Sequence, residues 1–214
     1  MKHASLLVLF VLFATGCCTA RMEKTPPTAL MPGNIDQWQT INFGGEGDVF
    51  YKEGALNLDF GNPLTGALYK GDLQALFGEG LENYAITLQA RRFEGVDMFL
   101  GLTFPVGTDG HVSLVLGGWA GAITGISNLD GLNASENATT QYHNLEDKKW
   151  FKVKVLVTTR KIQCWLDDKQ IVNVKRSDYK EYDTHGAVID TKPFGLFSYD
   201  THGQVKDMKV WKLD

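Results

Sequence analysis

Apolar and polar side chains alternate along most of this chain with a period of two. Phe151, Val153, Val155 and Val157 fall on one side of an extended segment, with Lys152, Lys154 and Thr158 on the other. A strand with one wet face carries that pattern. Arg160 and Lys161 stand at the turn that follows. Ile162, Cys164 and Leu166 repeat the alternation, Asp167-Asp168-Lys169 interrupts it, and Ile171, Val172 and Val174 resume it, so this third of the chain predicts antiparallel, meandering strands. Earlier strand signals cover residues 38–43, 49–52, 55–60, 84–93, 98–104, 111–116 and 120–126. Gly44-Gly45, Gly61-Asn62-Pro63, Gly107 to Gly110 and Gly117-Gly118 punctuate them. No segment of useful length has helical periodicity. Many short strands at regular spacing predict an all-β fold, a two-sheet antiparallel jelly-roll sandwich.

Within two of these strands the polar positions share a face. Tyr84, Ile86, Leu88 and Ala90 leave Thr87, Gln89 and Arg91 opposite, while Met98, Leu100, Leu102 and Phe104 leave Gly101 and Thr103 opposite. A curved jelly-roll sheet has a core side and a concave outer side. The expectation is a groove on the outer side lined by such polar side chains.

The ends of the chain change the picture of where this domain works. Lys2 precedes an apolar run from Ala4 to Ala14, too short to span a membrane and suited to a secretory leader. Ala14-Thr15-Gly16-Cys17 resembles a bacterial lipobox, in which the cysteine is acylated and becomes the new N-terminus. Acylation of Cys17 and simple cleavage both take the protein out of the cytoplasm, to the envelope of a bacterium; acylation adds the membrane as a partner. Residues 1–20 are thus read as the signal peptide, residues 21–34, with Pro26, Pro27 and Pro32, as a tether, and residues 35–214 as one jelly-roll domain. Past the Cys17-Cys18 pair only Cys164 remains, placed by its alternation as a buried apolar residue. With 21 basic against 25 acidic side chains and no basic run, nucleic acid is excluded as a partner. The glycosylation-like triplets at Asn133 and Asn137 read as polar loop residues.

Four segments resemble the bacterial 3-keto-disaccharide hydrolase family, a concanavalin A-like jelly roll. Tyr84 to Gly95 is similar to its aromatic-x-Leu strand ending in a basic residue and a glycine turn. Lys149-Trp150-Phe151-Lys152-Val153 is similar to its Glu-Trp-Asn strand, Ile162 to Asp168 to its Trp-Leu-Asn-Gly hairpin, and Pro193 to Gly203 with the strand after it to its closing segment. The resemblance implies action on sugars oxidised at C3, where the ketone acidifies the C2 proton and permits elimination followed by hydration. That chemistry needs a base and groups to hold the enediolate. Gly95-Val96-Asp97 replaces the family's Asn-Ser-Gly, and His111 to Gly118 lacks the acids of its Glu-x-Gln-x-x-Asp strand, which marks a divergent branch.

The candidate catalytic residues are Arg91 as an oxyanion or hydroxyl ligand, with Asp97, Asp130 and His202 as acid or base. Gln89, Arg92, Thr103, Trp119, Tyr142 and His143 are the candidate saccharide-binding residues, Trp119 because an indole flanked by glycines can stack on the apolar face of a sugar ring. Tyr-Asp-Thr-His-Gly occurs twice, at residues 182–186 and 199–203. Side by side, the copies would present Asp183, His185, Asp200 and His202 as a divalent metal site; as turns at loop ends they need no metal, and no other cofactor is expected. Three functions stay open: a saccharide hydrolase or lyase, a non-catalytic carbohydrate-binding module, and a structural or interaction domain.

Overall fold

The computed structural model describes residues 26–31 and 33–213, and it is the expected antiparallel two-sheet sandwich. The first sheet runs β13 (Lys169–Lys175), β12 (Lys161–Leu166), β11 (Phe151–Val157), β6 (Tyr84–Gly95), β15 (Thr201–Lys212), β4 (Ala55–Leu58), β3 (Val49–Lys52), with β1 (Thr28–Ala29) added beside β15. The second runs β10 (Gln141–Tyr142), β9 (Ile123–Ser127), β8 (His111–Gly117), β7 (Leu100–Pro105), β14 (Gly195–Tyr199), β5 (Leu64–Tyr69), β2 (Trp38–Thr40). The leader and Cys17 lie outside the described residues.

The C-terminal hairpins form in the register that the alternation demands. Val155 faces Cys164 and Val157 faces Ile162 across β11 and β12, and Cys164 faces Val172 on β13. All five side chains are buried. Burial pushes the Cys164 thiol well above the ordinary thiol range, so it stays protonated. The core between the sheets is completed by Leu56, Leu58, Ile86, Leu88, Leu100, Leu102, Phe104, Leu114, Leu196 and Val205. Each such side chain contributes about 1.5–3 kcal/mol by leaving water.

Three local expectations change. Thr28 and Ala29, expected in the tether, pair with Val210 and Lys209, and Leu30 is buried with its amide donating to the Met208 carbonyl. An open edge of β15 supplies the unpaired backbone groups that capture them. A short α-helix, α1 (Leu73–Phe77), forms where no helix was expected, because the Asp72 carboxylate accepts the Gln74 and Ala75 amides at 2.9 and 3.1 Å and Phe77 packs on Tyr84 and Phe194. β9 begins only at Ile123, since Trp119 and Ala120 adopt left-handed backbone.

Candidate functional site

The decisive fact for the site is that β6 and β7 belong to different sheets. Their polar faces, expected to share one groove, look out from opposite sides of the sandwich. Along β6, Thr87, Gln89 and Arg91 face outward from the first sheet. Along β7, Leu100 and Leu102 enter the core, so Gly101 and Thr103 face outward from the second.

A cleft of about 610 Å³ opens on the outer face of the second sheet. Its floor is apolar: Val115, Met98, Phe197 and, from the turn before β14, Val188. Met98 precedes β7 rather than sharing the inward face of Leu100 and Leu102, so it joins the floor. Phe197 lies flat over Gly101, where a Cβ would sit 2.2 Å from the ring. The rim is polar, with Asn128, Asn133, Glu136 and His185, and two aromatics stand at the wall, Trp119 and Tyr199, 44% and 41% exposed. An apolar floor with a few convergent polar groups is the usual build of a small-ligand site.

Trp119 is presented by a strained turn. Trp119 and Ala120 have φ of 52° and 59°, conformations that cost a non-glycine residue roughly 1–2 kcal/mol each. Asp97 holds that turn: Oδ2 accepts the Ala120 amide at 2.8 Å and Oδ1 accepts the Met98 amide at 2.7 Å. Arg92 braces it from beneath. Expected among the saccharide-binding residues, Arg92 is instead 7% exposed, because the alternation of β6 sets it with Leu88 and Ala90 on the inward face. Its guanidinium donates to the Asp97 carbonyl at 3.3 Å, the Leu145 carbonyl at 3.4 Å and the Asp147 carboxylate at 2.7 Å. Nη2 has no hydrogen-bond partner among the described residues and lies where a Cβ on Gly117 or Gly121 would come within 2.9 or 3.0 Å, so both positions have room for glycine alone.

The remaining expected site residues are dispersed. Thr103 is fully buried in a chain of hydroxyls, 2.8 Å from Ser113 and 2.6 Å from Thr191, beneath the 186–191 turn. Arg91 and Gln89 lie on the first sheet's outer face, with Arg91 donating to Gln204 at 2.6 Å and stacked 4.5 Å over Trp150. His202 is on that face too, its Nε2 3.0 Å from Asn57 Oδ1 and its ring 4.9 Å from Phe93. Burial lowers its pKa below the ordinary imidazole value against the opposing pull of Asp59. Asp130 accepts the Lys180 and Glu181 amides at 2.7 and 2.8 Å and so ties two loops together. Tyr142 projects into solvent from the edge strand β10, and His143 beside it borders the β12–β13 turn rather than the cleft.

The four proposed metal ligands do not converge. Asp183 pairs with Lys192 at 3.1 Å, His185 lines the cleft, Asp200 occupies the turn where the chain crosses between sheets, and His202 is on the first sheet. Among the described residues no group of three or more His, Cys, Asp or Glu side chains is placed to hold a metal. Of the expected residues, the cleft gathers Trp119, Asp97 and His185. Phe197 and Val115 carry no local signal in the sequence, since nothing distinguishes an outward-facing apolar residue from a core one, and Tyr199 is visible there only as the first residue of the second Tyr-Asp-Thr-His-Gly copy.

No protein-family model matches the sequence, and no curated protein does. Solved structures match the fold. A glycosyl hydrolase-like protein of Parabacteroides distasonis ATCC 8503 aligns at 12% identity and TM-score 0.54, over 88% of this chain and 94% of that one. The carbohydrate-binding module CBM66 of Bacillus subtilis aligns at 11% identity and TM-score 0.53, over 82% and 96%. A sialidase aligns at 13% identity and TM-score 0.52 over 88% of this chain and 18% of its own length. At these identities the likeness establishes the fold, a jelly-roll sandwich shared with carbohydrate-binding and glycosyl hydrolase-like domains.

Proposed function

We propose that this chain is a saccharide-binding jelly-roll domain whose ligand occupies the cleft on the outer face of the second sheet. The observation that carries the reading is Trp119, a half-exposed indole on a strained, twice-braced turn beside an apolar floor. Core packing does not require an aromatic there, and the strain is justified if the ring must present a face to a ligand. A pyranose has an apolar face for Trp119 or Tyr199 and equatorial hydroxyls for Asn128, Asn133, Glu136 and His185. The structural likeness to a carbohydrate-binding module agrees with it.

The test is binding of the intact domain to immobilised arabino-, fructo-, xylo- and gluco-oligosaccharides. At least one is expected to bind saturably, with Trp119→Ala weakening it about tenfold, near 1.4 kcal/mol, and leaving the fold intact. An array without binding, or a Trp119→Ala variant that binds as wild type, would sink the reading.

A second reading keeps the keto-sugar hydrolase, with Glu136 and His185 as the proton-transfer pair, because both border the cleft and Glu136 bonds the Asn133 amide through Oε2 alone. Arg91 and His202, on the far sheet, have no part in it. Turnover of a 3-keto-glucoside that Glu136→Gln abolishes would favour it. Export and acylation at Cys17 are proposed from the sequence, and mass spectrometry of the mature N-terminus tests both.

A further inference from the structure

The outer face of the first sheet carries a charge pattern that no stretch of sequence displays. Arg91 on β6, Lys152 and Lys154 on β11, and Lys206 and Lys209 on β15 all project from it; the carboxylates among the outward residues of these three central strands are Asp207 and, at the far end of β6 opposite His202, Glu94. Register makes the array regular: Lys152 and Lys206 both face Gln89, and Lys154 and Lys209 both face Thr87. With strands about 4.8 Å apart and alternate residues about 7 Å apart, the four lysines root on a grid of roughly 10 by 7 Å.

A shallow depression of about 550 Å³ lies within the grid, over Thr87 and Gln89 and between Lys152, Lys154, Lys209 and the Trp211 indole. The two carboxylates on its border are engaged. Asp207 accepts from the Gln89 amide at 2.7 Å, while Asp167 accepts the Lys152 backbone amide at 3.0 Å and lies 3.8 Å from Lys149. None of Lys152, Lys154 and Lys209 makes an ion pair among the described residues. The chain as a whole has a formal charge of −4, so this concentration of cations is local.

We propose that this depression is a second glycan site, for an acidic polysaccharide bearing carboxylates or sulfates. Charge complementarity selects a polyanion, the hydroxyl of Thr87 and amide of Gln89 match sugar hydroxyls, and Trp211 offers an apolar wall. A lipid surface fits less well, because none of the exposed large apolar side chains lies on β6, β11 or β15 to insert into it. The domain then holds two ligands on opposite faces, one in the Trp119 cleft and one on this lysine grid.

Affinity electrophoresis of the intact domain through gels containing polygalacturonate, against gels containing neutral dextran, tests it. Retardation by polygalacturonate alone is expected, fading as salt is raised, weakened at least fivefold in Lys152→Gln/Lys209→Gln and unchanged in Lys70→Gln, which lies beyond β5 in the other sheet. Lys152 and Lys209 are exposed, so the double variant should melt as wild type; Lys154→Gln, at a half-buried lysine 4.9 Å over the Trp165 ring, serves as a single variant with a smaller loss in the same direction. No retardation, wild-type behaviour of the double and single variants, or tighter binding to phosphatidylglycerol vesicles or duplex DNA than to polygalacturonate would overturn the proposal.

Discussion

The Asp97 carboxylate accepts the Ala120 amide hydrogen at 2.8 Å, linking the β6–β7 turn to the turn that carries Trp119. A charge-assisted hydrogen bond from a side chain to a left-handed backbone position offsets part of the strain there and limits the ways the indole can sit.

Replacing Asp97 by Asn tests that link. The amide keeps one oxygen and can hold only one of the two backbone donors without its charge, so about 1–2 kcal/mol of turn stabilisation goes. Affinity for the cleft ligand should fall about three- to tenfold in calorimetry, with a melting temperature lowered by only a few degrees. Unchanged affinity would show that the turn holds Trp119 without help.

Arg92 makes a sharper stability prediction. Arg92→Ala removes a buried side chain together with its bonds to Leu145, Asp97 and Asp147 and leaves a void under Gly117 and Gly121. A loss of about 3–5 kcal/mol is expected in denaturant unfolding. Arg92→Met fills the void and carries no charge that must be desolvated, so it should recover a large part of that loss. Equal destabilisation by both variants would place the value of Arg92 in its hydrogen bonds rather than its volume.

Gly101 sets the depth of the cleft. A Cβ there would sit 2.2 Å from the Phe197 ring, so Gly101→Ala must lift the ring into the ligand space. A cost of about 1–3 kcal/mol and weaker saccharide binding are expected together. Adding Phe197→Ala should relieve the crowding; a double variant no more stable than the sum of the two single effects would refute that geometry.

Acid should destabilise the domain before its carboxylates titrate. Burial lowers the pKa of His111, His143 and His202 below the unfolded value of about 6.5. The unfolded chain therefore binds protons more readily, so stability is full above that value and falls as the pH drops through it toward the folded pKa values. Thermal melts from pH 7.5 to 5 should show the decline. His202→Gln, still able to donate to Asn57, should flatten it; an identical slope would remove His202 from the linkage.

Period-two patterning by itself determined that this chain forms strands, where most of them run, and which side chains of β11 and β12 are buried, because alternation across a pleat is a local property. The flanking glycines, not the alternation, singled out Trp119, since an indole in a glycine-rich loop is legible without knowing its spatial neighbours. Only the tertiary structure decided that β6 and β7 lie in opposite sheets, which sent Arg91 and His202 to one face and Asp97 and Trp119 to the other. Pattern gives two faces to every strand without saying which sheet the strand joins. That choice rests on pairings between residues far apart in sequence. The same non-local pairing brings Lys152 and Lys209 to either side of β6, building a basic face in an acidic chain whose sequence contains no basic run.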